Sequence, residues 1–160
     1  MSREVLTGIA AGAAGTTALN AVTYLEMATR ARPASTTPED TVRKAEELTH
    51  VSLSEHDPDS DEAGNRRSGL GALLGIAAGL GTGALYGLVR PKLGRVPFAL
   101  LGVGASLAAN VGTTGPMVAL GVTDPRTWPA SSWFSDLVPH LAYGFATAAV
   151  WELMQPGRRR

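Results

Sequence analysis

Asp136 and His140 are four residues apart, one turn along a helix. At that spacing the carboxylate can hold one imidazole nitrogen and leave the ring free to take up or release a proton near neutral pH. Ser131, Ser132 and Ser135 lie just upstream. A serine hydrolase would also need a nucleophile elbow and an oxyanion hole, and the sequence offers neither, so the expectation is a non-catalytic role. That role is a structural hydrogen bond at an interface, or a pH-responsive or ion-linked group. Four further polar residues fall in or beside uncharged runs: Asn20 and Asn110 lie deep within them, Glu26 and Glu152 near their ends. Polar groups left unpaired in hydrocarbon are costly, which makes all four functional candidates. The glutamates are expected to snorkel to water. The asparagines are expected to meet each other across the second run, as interhelical glue or as the lining of a solute path.

Other constellations fail on spacing. Asp57, Asp59 and Asp61 open like a calcium-binding loop, but Glu62 stands where that loop needs glycine and Ser68 where it needs a bidentate carboxylate. A solvated acidic loop is expected there. Gly79, Gly81 and Gly83 lie inside an apolar run without a preceding strand or a Gly-Lys-Ser/Thr, so no phosphate-binding turn is read from them. The chain has no cysteine, and its three histidines lack metal-ligand spacing, so no thiolate chemistry, zinc site or cofactor is expected. A formal net charge of zero, without an arginine-and-aromatic surface pattern, gives no case for nucleic acid.

The elements that must position these residues are the uncharged runs. Glycine recurs at Gly71, Gly75, Gly79, Gly83 and Gly87, and no charged residue occurs from Ser68 to Val89. Each interior glycine costs a water-soluble helix about 0.5–1 kcal/mol relative to alanine. In a bilayer, small residues instead let a neighbouring helix approach closely. Residues four apart overshoot a full turn by about 40°, so the glycine line winds around its helix and serves two neighbours. One is expected over Gly71, Gly75 and Gly79 and another over Gly79, Gly83 and Gly87, with this helix in the middle of the bundle.

The first run starts like a signal peptide, with Arg3 before an alanine-rich core. Its apolar part continues beyond the usual ~7–15 residues without a cleavage site, so it is expected to be retained. Gly8, Gly12, Thr16 and Asn20 fall on one line, predicted to face the glycine helix. The expected fold is therefore all-α: a single integral membrane four-helix bundle over residues 1–160, with Gly/Ala-rich small-xxx-small packing. Its spans are predicted at about 5–26, 69–89, 96–121 and 137–154, the third kinked by Gly115-Pro116. The polar segment 28–68 is predicted to hold a short amphipathic helix at about 38–51, capped by Thr37, with Val42, Ala45, Leu48 and Val51 on one face. A mobile acidic stretch, 54–68, follows. Arg90, Lys92 and Arg95 in a very short connector, with Arg158, Arg159 and Arg160 after the last run, place both termini in the cytoplasm.

The order Gly115-Pro116-Met117, Leu120-Gly121-Val122-Thr123 with Pro125, Trp128 and Trp133, then Pro139-His140-Leu141-Ala142-Tyr143 before a basic end, resembles the YagU-type bacterial inner-membrane proteins. Gly8-Ile9-Ala10-Ala11-Gly12, leading to Arg32-Pro33, is similar to their opening helix. The resemblance implies a multi-pass inner-membrane protein, a link to acid stress, and a role for His140 and the Leu120 to Pro125 turn. The function expected is a plasma-membrane protein without catalytic activity, structural or a partner subunit, or linked to envelope stress. The alternative is a small transporter or channel component acting as a homo-oligomer, and an intramembrane hydrolase stands behind both. The partners expected are the lipid bilayer and a second copy or another membrane protein.

Overall fold

The computed structural model describes residues 3–54 and 57–155. Glu55 and His56, within the stretch predicted to be mobile, lie outside the described residues, as do Arg158, Arg159 and Arg160, on which the predicted orientation partly rests. Among the described residues there are five α-helices and no strand: α1 (Arg3–Arg30), α2 (Thr37–Thr49), α3 (Asp61–Val89), α4 (Phe98–Ala119) and α5 (Ala130–Leu153). Single 3-10 turns at Arg90–Leu93 and Pro125–Thr127 lead into α4 and α5.

Three helices are long and apolar enough to cross a membrane: α1, α3 continued through Leu93, and α4. The fourth predicted run corresponds to α5, which has 24 residues but falls short of the other three in hydropathy because Asp136, Pro139, His140, Tyr143 and Glu152 interrupt its apolar side chains. The packing suits a hydrocarbon solvent. Leu73, Leu74, Leu85, Leu100, Leu107 and Val111 face outward, while Ala11, Ala105, Ala109 and Ala148 are buried. Bulk on the outside and small residues between helices is the pattern of membrane bundles.

α1, not α3, is the middle helix, packed between α3 and α5. It runs antiparallel to α3 with backbone against backbone. A Cβ added at Gly8 would lie 2.9 Å from Gly87 Cα, and one at Gly12 would lie 2.9 Å from Gly83 Cα. Gly79 faces the Thr16 side chain, Gly71 faces Pro38 of α2 at 2.9 Å, and Gly75 has nothing within 4 Å. The glycine line is thus shared between α1 and the short α2, because α4 touches α3 only over a short stretch. Gly15 lies against Tyr143, Gly102 against Phe145 and Gly144 against Ser106, which joins α5 to α1 and α4. Pro116 does not break α4: its ring removes one i→i−4 amide bond, yet the helix continues one turn further, to Ala119.

Residues 61–68, predicted to be mobile, form the first turns of α3. The Ser60 side chain accepts from Ala63 N and caps the helix. Glu62 pairs with Arg66, and Arg67 is buried against α2. α2 starts at Thr37 with Thr36 at the cap position, one residue earlier than predicted, and only Val42 of its expected apolar face is buried. Arg67 Nε donates to Glu46 at 2.5 Å, and Leu53 N donates to the same carboxylate at 2.8 Å. Chiefly through the Arg67 hydrogen bond, the Glu46 carboxyl is held below its usual range.

A carboxyl depressed in the docked state binds its proton more readily when undocked. Its contribution is therefore complete above the undocked value of about 4.3 and is lost as pH falls through the lower, docked value. Amide exchange over residues 37–49 should stay slow from about pH 7 to about pH 5 and rise, relative to the intrinsic rate, below about pH 4. Glu46→Gln should remove that step, and equal protection across the range would show that the ion pair does not dock α2.

Candidate functional site

Beyond the Thr16–Gly79 contact the four long helices separate. From there α1 continues with Thr16, Asn20 and Thr23 on its inner side, while α3 offers Gly79, Gly75 and Gly71, which have no side chains to fill the gap. The result is a cavity of about 800 Å³ between α1, α3, α4 and α5. It lies at the end of the bundle where α1 finishes and α5 begins, and Ser35, Thr37 and Pro38, at and just before the start of α2, are at its mouth.

Tyr143 forms the floor. It is 1% exposed, and its hydroxyl donates to Gly79 O at 2.6 Å. Below it the glycine contacts of α1 and α3 close the bundle. The far end is sealed by Arg90, 5% exposed, whose Nε donates to Glu152 at 2.6 Å and whose Nη1 donates to Gly94 O at 3.1 Å. The Arg90 guanidinium also lies 5.6 Å from the Trp151 ring. Glu152 therefore reaches an arginine instead of simply snorkelling to water.

His140 stands on the cavity wall with its two nitrogens in different roles. Nδ1 is 2.7 Å from Asp136 O and 3.5 Å from Asp136 Oδ1. A carbonyl oxygen only accepts, so Nδ1 carries the proton. Nε2 faces Thr113 Oγ1 at 3.4 Å, and that hydroxyl also lies 3.0 Å from Ala109 O and 3.1 Å from Asn110 O. When Nε2 is bare, Thr113 can donate to it. When Nε2 is protonated, Thr113 can accept and turn its own proton to a backbone carbonyl. Either protonation state finds a partner without moving the helices.

Asn110 does not meet Asn20. Its Nδ2 donates to Asp136 Oδ2, because α4 packs on α5 and not across α3, and Asn20 stands on the cavity wall formed by α1. Glu26 is 8% exposed and does not reach out to water. It accepts from Arg30 Nη1, from Arg32 Nε at 3.0 Å and Nη2 at 2.8 Å, and from Ser135 Oγ at 2.5 Å. This cluster ties the end of α1 to the start of α5. Ser135 is thereby committed to Glu26, and among the described residues no serine hydroxyl is bonded to His140.

Arg30, Arg32, Thr16 and Tyr143 were not singled out as site residues in the sequence. The signal for Arg30 was its position one turn after Glu26; Arg32 lies beyond the helix, where periodicity says nothing. Pro139, His140 and Tyr143 line the cavity, Gly121 has φ +70° in the turn after α4, and Trp128 donates to Thr123 at 2.9 Å. No family model, curated protein or solved structure matches the chain.

Proposed function

We propose that the chain is a multi-pass membrane protein that admits a small solute from one side of the bilayer, without catalysing a reaction on it. In this reading α5 is the fourth span, and its polar residues are tolerated because they turn toward the cavity and not toward lipid. The single observation that supports it is the cavity itself: a purely structural bundle of small residues has no need of a hole lined by hydroxyls, an amide and a histidine. With both termini in the cytoplasm, the mouth faces the opposite side. The YagU-type likeness fits a protein of the bacterial inner membrane, and a histidine on the cavity wall fits a solute path linked to envelope acid.

The absence of native cysteine makes the test direct. Asn20→Cys and Gly75→Cys should react with a charged, membrane-impermeant thiol reagent added on the mouth side only, while Leu85→Cys, on the outward face of α3, should not. If Gly75→Cys resists the reagent from both sides, the vestibule is not open to water and the proposal fails. His140→Gln, which keeps a polar side chain on the cavity wall, should leave the labelling pattern unchanged.

A second reading, a partner subunit or homo-oligomer, is favoured by α3. Only 11% of its apolar window is buried, leaving a long face that lipid or another chain must cover.

A further inference from the structure

We infer that the vestibule binds an amphipathic monocarboxylate, an organic acid with one charged end and an apolar body. The inference rests on the reading of the cavity as a solute site and adds the class of solute.

The argument begins with which charged groups are already satisfied. Both oxygens of Glu26 are occupied by Arg30, Arg32 and Ser135. Of Asp136, Oδ2 accepts from Asn110, and Oδ1 lies near the protonated nitrogen of His140. The His140 proton is already directed to Asp136 O at 2.7 Å, so a cationic solute would find one open carboxylate oxygen, Asp136 Oδ1, and no paired acceptor. The arginines differ from each other. Arg32 uses Nε and Nη2 on Glu26 and Nη1 on Pro33 O. Arg30 uses Nη1 on Glu26, while its Nε and Nη2 have no hydrogen-bond partner among the described residues. Its side chain is 43% exposed, lines the vestibule and rests beside the Phe134 ring at 5.9 Å. A guanidinium with free parallel donors is shaped to take a carboxylate.

The rest of the wall decides what the carboxylate is attached to. Leu19 of α1, Ile76 of α3 and Met117 of α4 line the same space, and the glycines of α3 keep it wide. A polyol would leave these surfaces unmatched, whereas an alkyl or aryl body would bury against them. The volume of about 800 Å³ holds an acid of many carbons, so the solute can come from water as a short-chain acid or from the bilayer as a fatty acid.

Trp128 lines the cavity and provides the signal. The full chain in lipid nanodiscs would be titrated with hexanoate, 1-hexanol and hexylamine, which share a body and differ in the head, and separately with oleate. The expected result is a saturable change in tryptophan fluorescence with hexanoate, absent in Trp128→Phe, with the alcohol and the amine weaker by about tenfold or more. Arg30→Gln should erase the difference between acid and alcohol, and Arg32→Gln should keep it. Gly75→Leu, which adds bulk where nothing stands within 4 Å, should abolish binding of every probe in a protein that still folds.

Binding of oleate without hexanoate would support the same carboxylate chemistry with the bilayer as its source. Equal binding of the three heads, preference for the amine, or an unchanged preference in Arg30→Gln would overturn the carboxylate assignment. Binding of no probe while Gly75→Cys still labels from one side would overturn it too and leave the open vestibule standing. Failure of the labelling would remove both.

Discussion

Gly83→Leu is expected to destabilise the folded bundle strongly, whereas Gly75→Leu, eight residues earlier on the same glycine line, leaves its thermal stability unchanged. At Gly83 an added Cβ would lie 2.5 Å from Gly12 Cα and 2.8 Å from Gly12 N. These are backbone atoms of the middle helix, and neither rotamer change nor a small shift moves them aside. Overpacking of a tight core costs about 1–3 kcal/mol and sometimes more, and the loss here falls at the upper end because α1 would also be pushed from α5. Thermal unfolding in detergent should show Tm lower by on the order of 5 °C or more for Gly83→Leu. Gly79→Leu should fall between the two, since what it meets first is the Thr16 side chain, which can rotate. Equal melting of Gly83→Leu and the parent chain would mean that the α1–α3 contact is not what holds the bundle.

The second large effect is expected at the sealed end. Glu152→Gln leaves the buried Arg90 without its carboxylate, and breaking a buried pair from one side costs about 3–5 kcal/mol. Arg90 keeps Gly94 O and the Trp151 face, so the lower part of that range applies. Replacing both partners, Arg90→Met with Glu152→Met, removes the charges together and should recover most of the stability. Denaturation of Arg90→Met, Glu152→Met and the double variant would give the coupling directly. A change within about 0.5 kcal/mol for Glu152→Gln would show that the pair contributes nothing to closure.

The sequence made the helices legible because hydropathy and glycine spacing are local properties. The all-α class, the apolar runs containing α1, α3 and α4, and the short helix after Pro38 could all be read along the chain. Which helix lies in the middle could not be read. The four-residue lines on the first and second runs look alike, and only the packing of Gly15 against Tyr143 shows that α1 also serves α5. The start of α3 was hidden by its composition: DEAGNRRS looks solvated until Arg67 is seen to reach Glu46 of α2. The site was half visible. Asp136 and His140 are near in sequence, so their contact follows from helix geometry. The bonds from Ser135 to Glu26 and from Asn110 to Asp136 span 109 and 26 residues, and nothing in periodicity sets such pairs.

The sandwiched position of α1 also fixes an order of assembly. It precedes both of its neighbours in the chain, and α5 follows only after α3 and α4. Until α5 inserts, Thr16, Asn20 and Glu26 have no α5 to face, and the nascent hairpin of α1 and α3 must keep them from the lipid or be met by the insertion machinery. The cavity is therefore completed only when α5 is in place, and a chain released before it would carry its most polar stripe unshielded in the bilayer.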